Sequence, residues 1–288
     1  MFAIYKKELL QYFTSMIGFV FLAFFLVIMG IFYWTLNIGG GSGNFEYMLG
    51  SVDFLFVILI PILTMRVIAE ENRQKTDQLL YTSPVSITKV VVGKYLAVFS
   101  LFTLAILVVS VYPLILHHYN SEVQLASAYS GVIGFWLMGG AYIAIGLFVS
   151  SLTESQLIAA IISFIVMIIT YIMPTLTAAI PSDGKSQVFI VAAVWILICV
   201  ASYSAMKNVF VSILLGIIGE AVIFVIYGSN SQVYDSLIIK VLNAVSISDR
   251  YDDFRLGILE VNSMIYYLSI SFLFVFLTIQ MIKRKRFN

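Results

Sequence analysis

The chain has 288 residues, 61% of them hydrophobic and only 11% charged, with a net charge of +1. Soluble domains run at about 45–50% apolar and about 25% charged, so this excess has no aqueous core to hide in and the surrounding solvent must be lipid. Disorder, a collagen-like repeat and a disulfide scaffold are excluded by the same numbers. The balanced charge gives no support to a nucleic-acid partner, and the single Cys199 allows no internal disulfide.

Apolar runs of about 20 residues with few or no charges mark the membrane spans. They fall at 16–37, 49–67, 90–117, 126–151, 155–178, 187–205, 208–228 and 261–282. The second is short and has Asp53 near its start. Pro61, Pro113 and Pro174 are expected kinks. The predicted fold is an all-α polytopic membrane protein with about eight transmembrane helices. Barrel strands alternate over short segments and do not run apolar this long. The first run follows Lys6 and Lys7 as a signal peptide would, but it is about twice the usual 7–15 residue core and no small-x-small site follows, so it reads as a retained helix.

Eight spans put both termini on one side, and Lys and Arg choose the side. With the N-terminus inside, Lys6, Lys7, Arg66, Arg73, Lys75, Lys89, Lys94, Lys207, Lys283, Arg284, Lys285 and Arg286 are internal, against Lys185, Lys240, Arg250 and Arg255 outside. The positive-inside rule then predicts a multi-pass protein of the cell inner or plasma membrane with both termini cytoplasmic.

Residues 2–13 mix Phe2, Ile4, Leu9, Leu10 and Phe13 with Lys6, Lys7 and Glu8. This suits a helix lying in the membrane interface, or a polar start to the first span. The glycine-rich outer loop 38–48 and Gly184-Lys185-Ser186 are imperfect echoes of phosphate-binding loops. The first lacks a following Lys, the second has Ala179 where a Gly is required, and neither follows a strand.

The inner loop 66–94 alternates Glu70, Glu71, Arg73, Lys75 and Asp77 beside apolar Leu79, Leu80 and Tyr81, and Pro84 ends the helical pattern. It is either a solvated loop with internal ion pairs or a short docking helix for a cytoplasmic partner. The outer segment 229–260, with Asp249, Arg250, Asp252, Asp253 and Arg255 around Tyr251 and Phe254, is expected to form short external helices over the last span, a solvated cap in the preferred reading and a substrate-exit or partner-binding surface in the alternative.

Buried charge in a bilayer points to function by default, and Glu220, mid-span in the seventh run, is the clear instance. It is either a proton or substrate site or a partner within a helix interface. His117-His118 are adjacent and do not share a helix face, so no metal site is expected. No catalytic constellation occurs, and no chain of Asp, Glu or His crosses the membrane as ion-coupled transport would need.

Several stretches together resemble the ABC-2 type permeases, in particular the gliding-motility and copper-maturation branch. They are Ile4-Tyr5-Lys6-Lys7-Glu8-Leu9 with Tyr12-Phe13-Thr14-Ser15; Ile60 through Arg66, Ala69-Glu70-Glu71, Thr76 through Leu80, Ser83-Pro84-Val85 and Gly93-Lys94; Gly139, Tyr142, Ile145-Gly146-Leu147 and Ser150 through Glu154; and Phe254, Gly257 and Tyr266 through Ser269 with the basic tail. Met16 stands where the family often has proline. The resemblance covers 1–178 and 244–286 and leaves 179–243 as an added pair of helices.

The resemblance implies one permease domain over 1–288. Its elbow helix is 1–15, carrying Tyr5, Lys6, Lys7 and Glu8. Five spans in 16–178 enclose a coupling loop at 68–90, the insertion is 179–243, and 244–288 supplies the external segment, last span and tail. It implies the membrane subunit of an ATP-driven exporter of hydrophobic or amphipathic cargo, peptide or lipid-like. It is not an enzyme and binds no cofactor itself. ATP and Mg belong to two copies of a cytoplasmic ATPase, and a second permease chain, identical or related, completes the complex. Glu70, Glu71, Arg73, Thr76 and Asp77 are the expected ATPase contacts. The alternatives are a gradient-driven secondary transporter using Glu220 and a non-transporting membrane scaffold.

Overall fold

The computed structural model describes residues 1–75, 86–119, 123–206, 216, 218–221, 225, 227–228 and 236–287. The described residues are predominantly helical, with no strand among them. They contain five helices long and apolar enough to cross a membrane: Met16–Ile38, Ile87–Tyr119, Leu125–Leu152, Gln156–Ala179 and Val261–Lys285. A bent pair, Phe45–Ser51 with Leu55–Gln74, makes a sixth if it is one span. The span expected at 187–205 lies in a helix, Gly184–Met206. The one expected at 208–228 lies mostly outside the described residues.

The chain divides into two compact units, residues 1–171 with 247–288, and residues 172–246. The helical insertion expected over 179–243 falls inside the second.

In the first unit, α1 (Phe2–Thr14) is a separate helix, ended by extended backbone at Ser15 before α2 (Met16–Phe32) begins. The entry turn needs Gly18, because any side chain there would strike the Tyr12 carbonyl. Exposed Phe2 and Leu10 on α1 suit contact with a membrane surface. The first span finishes in a π-helical turn, Tyr33–Ile38.

The short second span is not one helix, which corrects the expectation for 49–67. It consists of α3 (Phe45–Ser51) and α4 (Leu55–Thr64), bent by 63°. Asp53 sits at the break, where a carboxylate at the start of α4 complements the helix dipole, and its Oδ2 accepts a hydrogen bond from Ser248 at 3.0 Å. Pro61 lies within α4 without ending it. Next come α5 (Ala69–Gln74), α6 (Ile87–Val109) and α7 (Tyr112–Tyr119), the last starting one residue before Pro113. They are followed by α8 (Leu125–Leu152) and α9 (Gln156–Ala179), which contains Pro174.

The centre of this unit is α8. Of its most apolar stretch 83% is buried, against 28% for the first span, α9 and the last helix. Small residues let neighbours reach its backbone closely: Gly139 lies against the Phe102 ring, Gly146 against Thr64, and Gly134 against the Phe254 ring. Around it Phe56 packs on Phe135 with centroids 4.5 Å apart, on Phe102 at 5.7 Å and on Tyr142 at 5.7 Å.

The external segment holds a 3-10 turn at Asp249–Tyr251, then α12 (Asp252–Arg255) and α13 (Val261–Phe287). It is not the solvated cap expected from its charges. Tyr251 and Phe254 are fully buried, and the Tyr251 hydroxyl donates to the Gly131 carbonyl of α8 at 3.2 Å. Asp252 is exposed, Arg255 packs along Gly50 and over the Tyr47 ring of α3, and Tyr251 and Phe254 act as anchors.

The second unit contains α10 (Gly184–Met206) and α11 (Leu237–Val245). Buried Gln187 joins them, its Nε2 donating to Pro181 O at 2.6 Å and its Oε1 accepting from the Ile238 amide at 3.0 Å. Gly184-Lys185-Ser186 forms the first turn of α10. Its exposed N-terminus is already occupied: Asp183 Oδ2 accepts from the Ser186 amide and hydroxyl, both at 3.0 Å, which lowers the Asp183 pKa.

Candidate functional site

A cluster of charged groups forms where α1, α5 and the start of α6 meet. Lys94, in the second turn of α6, is 2% exposed. Its Nζ donates to Glu8 Oε1 of α1 at 3.0 Å, to Glu71 Oε1 of α5 at 2.8 Å and to the Val67 carbonyl at 3.0 Å. All three ammonium protons are thereby used, so the buried group leaves no donor unsatisfied. Lys7 stands 3.9 Å from Glu8 at the exposed margin.

The elbow is seated by neutral bonds as well. Tyr12 donates to the Leu63 carbonyl at 3.0 Å, and Tyr5 to Ser100 Oγ at 3.0 Å. Burial, with Glu8 nearby, raises the Tyr12 pKa, so its hydroxyl remains a donor at every physiological pH.

The short α5 is held from a third side. Ser150 Oγ of α8 accepts from the Ile68 and Ala69 amides at 3.2 and 3.1 Å and donates to the Met65 carbonyl at 3.1 Å. It supplies, from another helix, the cap that α5 lacks in its own sequence. Asn72 Nδ2 donates to the Thr153 carbonyl at 3.4 Å. On α5 itself Glu70 pairs with Arg66 at 2.8 Å and accepts from Gln74 at 3.3 Å. Lys75 ends the helix in a left-handed conformation, φ 55°. Between α1 and α5 lies a hollow of about 570 Å³, lined by Lys7, Gln11, Arg66, Glu70 and Gln74 among others.

The structure therefore brings Glu8, Glu70 and Glu71 into one cluster. Tyr5 lies on the α6 side of the elbow. Lys6 and Lys7 point outward, and Arg73 is exposed at the end of α5. Thr76 and Asp77 lie outside the described residues. Lys94 is the group that sequence reasoning missed as a site residue. The available signal was a lone Lys opening an apolar run with carboxylates in two other segments. Glu220 is in the second unit, away from this cluster in the chain; its Oε1 is buried with no hydrogen-bond partner among the described residues.

An elbow helix, a bundle of apolar spans and a charged segment locked between them define a membrane permease subunit. The chain belongs to the ABC-2 family transporter proteins, whose family model matches residues 35–229. The match runs on through 179–229, into the region expected as an insertion. No curated protein matches the chain. As a member of this family it is a multi-pass, non-catalytic subunit of an ABC transporter, a class that works with a cytoplasmic ATPase subunit.

Proposed function

We propose that this chain is the permease of an ATP-driven exporter whose ATPase subunits dock on the face formed by α1 and α5. Both termini and this face are cytoplasmic in that reading. Two ATPase copies carry ATP and Mg, and a second permease chain, identical or related, completes the pathway. The cargo is hydrophobic or amphipathic, a peptide or lipid-like molecule, in keeping with the aromatic-rich spans.

The observation that carries the proposal is Lys94 bound at once to Glu8 and Glu71. A loop that merely touched a partner would absorb its motion. Here a displacement of α5 pulls α1 and α6 through Lys94, and α8 through Ser150. Closure of the ATPases on ATP would thus reach two spans as a rigid movement. Glu70 and Glu71 hold α5 in shape, while exposed Arg73 offers its charge outward.

Arg73→Glu tests this. The expected result is that an ATPase subunit co-purifies stoichiometrically with the wild-type chain from native membranes in mild detergent, and is lost or strongly reduced with the variant at unchanged permease yield. Purification of the wild-type chain with no ATPase would overturn the docking proposal and turn attention to Glu220.

A further inference from the structure

A second concave surface lies on the first unit away from the coupling cluster. It is a groove of about 520 Å³ between α6, α8 and α13. Its wall is an aromatic ladder: Tyr95 stacks on Phe99 at 5.7 Å, and Phe99 meets Trp136 at 4.9 Å. The polar atoms of the ladder are turned into the protein. The Tyr95 hydroxyl donates to the Gly140 carbonyl at 3.3 Å, and Trp136 Nε1 donates to Thr103 Oγ1 at 2.8 Å. What faces the groove is ring and methylene. Gly140 keeps the floor low, since a Cβ there would press on the Phe99 ring at 2.9 Å.

The unsatisfied polarity along the groove is one-ended. Thr88, Gln280 and Lys283 stand at the end nearest the elbow, and Leu268, Ser271 and Phe272 line the far end, where the Ser271 hydroxyl is spent on the Tyr267 carbonyl at 2.9 Å. No carboxylate lines it among the described residues. Lys285, two residues on from Lys283, is turned away and donates to the Ser151 carbonyl at 2.8 Å. From Leu268 to Lys283 the groove runs about 22 Å along α13 at the helical rise. That is about half of the roughly 40–45 Å thickness of a bilayer with its headgroups, one leaflet from headgroup to midplane.

We propose that this groove holds one anionic phospholipid of the bilayer, its acyl chain along the Tyr95–Phe99–Trp136 ladder and its phosphate at Lys283. The length of the groove sets the leaflet, the aromatic wall takes the chain, and Lys283, which among the described residues is the one cation lining the groove and has no carboxylate beside it there, selects the charge. The lipid serves as a fixed third element between α6 and α13, which otherwise leave this face open. The site is separate from the ATPase-docking face and does not rest on the export reading.

The test is native mass spectrometry of the full-length chain in detergent, equilibrated with equal amounts of dioleoyl phosphatidylglycerol and dioleoyl phosphatidylcholine. The expected result is one lipid retained per chain, with the anionic lipid preferred about fivefold, the worth of one surface cation. Lys283→Gln, at the exposed end and outside the packed wall, brings the ratio to about one. Arg284→Gln, which does not line the groove, leaves it unchanged. Val92→Trp, filling the groove, lowers retention of both lipids. Equal retention of the two lipids by the wild-type chain would overturn the proposal. So would loss of preference in Arg284→Gln to the same degree as in Lys283→Gln, or full retention in Val92→Trp. A chain dimer that Val92→Trp dissociates would give the groove to a second copy and equally overturn it.

Discussion

Lys94→Met lowers the thermal midpoint of the purified chain more than any other single charge change in the protein. The substitution keeps the length and apolar stem of the side chain, so packing on α6 changes little. What it removes is the buried cation shared by the buried Glu8 and the part-buried Glu71 carboxylates. Glu8 then keeps only Lys7, 3.9 Å away at the exposed margin, Glu71 loses its bond from Lys94, and the Val67 carbonyl loses its donor. Breaking a buried pair by removing one partner costs about 3–5 kcal/mol, because the remaining charge keeps its desolvation penalty. Glu8→Gln costs much less, since Lys94 retains Glu71 and Val67. Restoring neutrality with Glu8→Gln and Glu71→Gln in the Lys94→Met background recovers much of the loss. Heating followed by size-exclusion of the soluble fraction measures this series. A midpoint for Lys94→Met equal to wild type would show that the cluster holds nothing together.

The second large effect lies at the opposite end of the first unit. Phe254→Ala empties a site in which the ring is fully buried between Gly134, Tyr251 and Tyr267. Truncating a buried Phe costs about 3–5 kcal/mol. Gly134→Leu is destabilising for the converse reason, because its side chain enters the space of the Phe254 ring, and overpacking costs about 1–3 kcal/mol. Together the two changes exchange a ring for a side chain of similar volume. The double variant is therefore expected to melt well above the sum of the single losses. Four melting midpoints complete the cycle. Strict additivity would mean that the external segment does not dock through this contact.

The spans were legible because charge punctuates them: Lys6 and Lys7 before the first, Glu154 between the fourth and fifth, and the basic tail after the last. The same contrast could not resolve what happens within a run. In the second span, Asp53 was visible as a charge but its partner Ser248 lies 195 residues away, so the 63° bend had no local sign. The cluster around Lys94 was half legible. Glu8 and Glu71 were picked as surface groups because carboxylates in short polar segments usually face water. Their inward turn depends on a cation that arrives 23 residues after one and 86 after the other. Tyr251 and Phe254 were hidden by averaging. A segment rich in Asp and Arg reads as solvated, although a single helical turn can send its charges out and its rings in.

The break between α3 and α4 bears on how the chain is made. The turn at Val52–Phe54 closes its own backbone, the Val52 amide donating to the Leu49 carbonyl at 3.1 Å and the Leu55 amide to the Val52 carbonyl at 3.0 Å, but the Glu46 and Asp53 carboxylates beside it are costly in hydrocarbon and persist only where protein pairs them. Here the protein is supplied late. Glu46 of α3 is matched by Ser127 at 2.8 Å, and Asp53 by Ser248, both from segments translated long afterwards. The stretch 45–64 is therefore not a self-sufficient insertion unit during synthesis. In chains arrested before residue 125 it should remain accessible to a glycosylation tag on either side, and settle only when α8 has emerged; a fixed orientation in such truncated chains would refute this. For this protein membrane assembly is ordered by tertiary partners and not only by hydropathy, so the central helix acts as the template on which an earlier, broken one is completed.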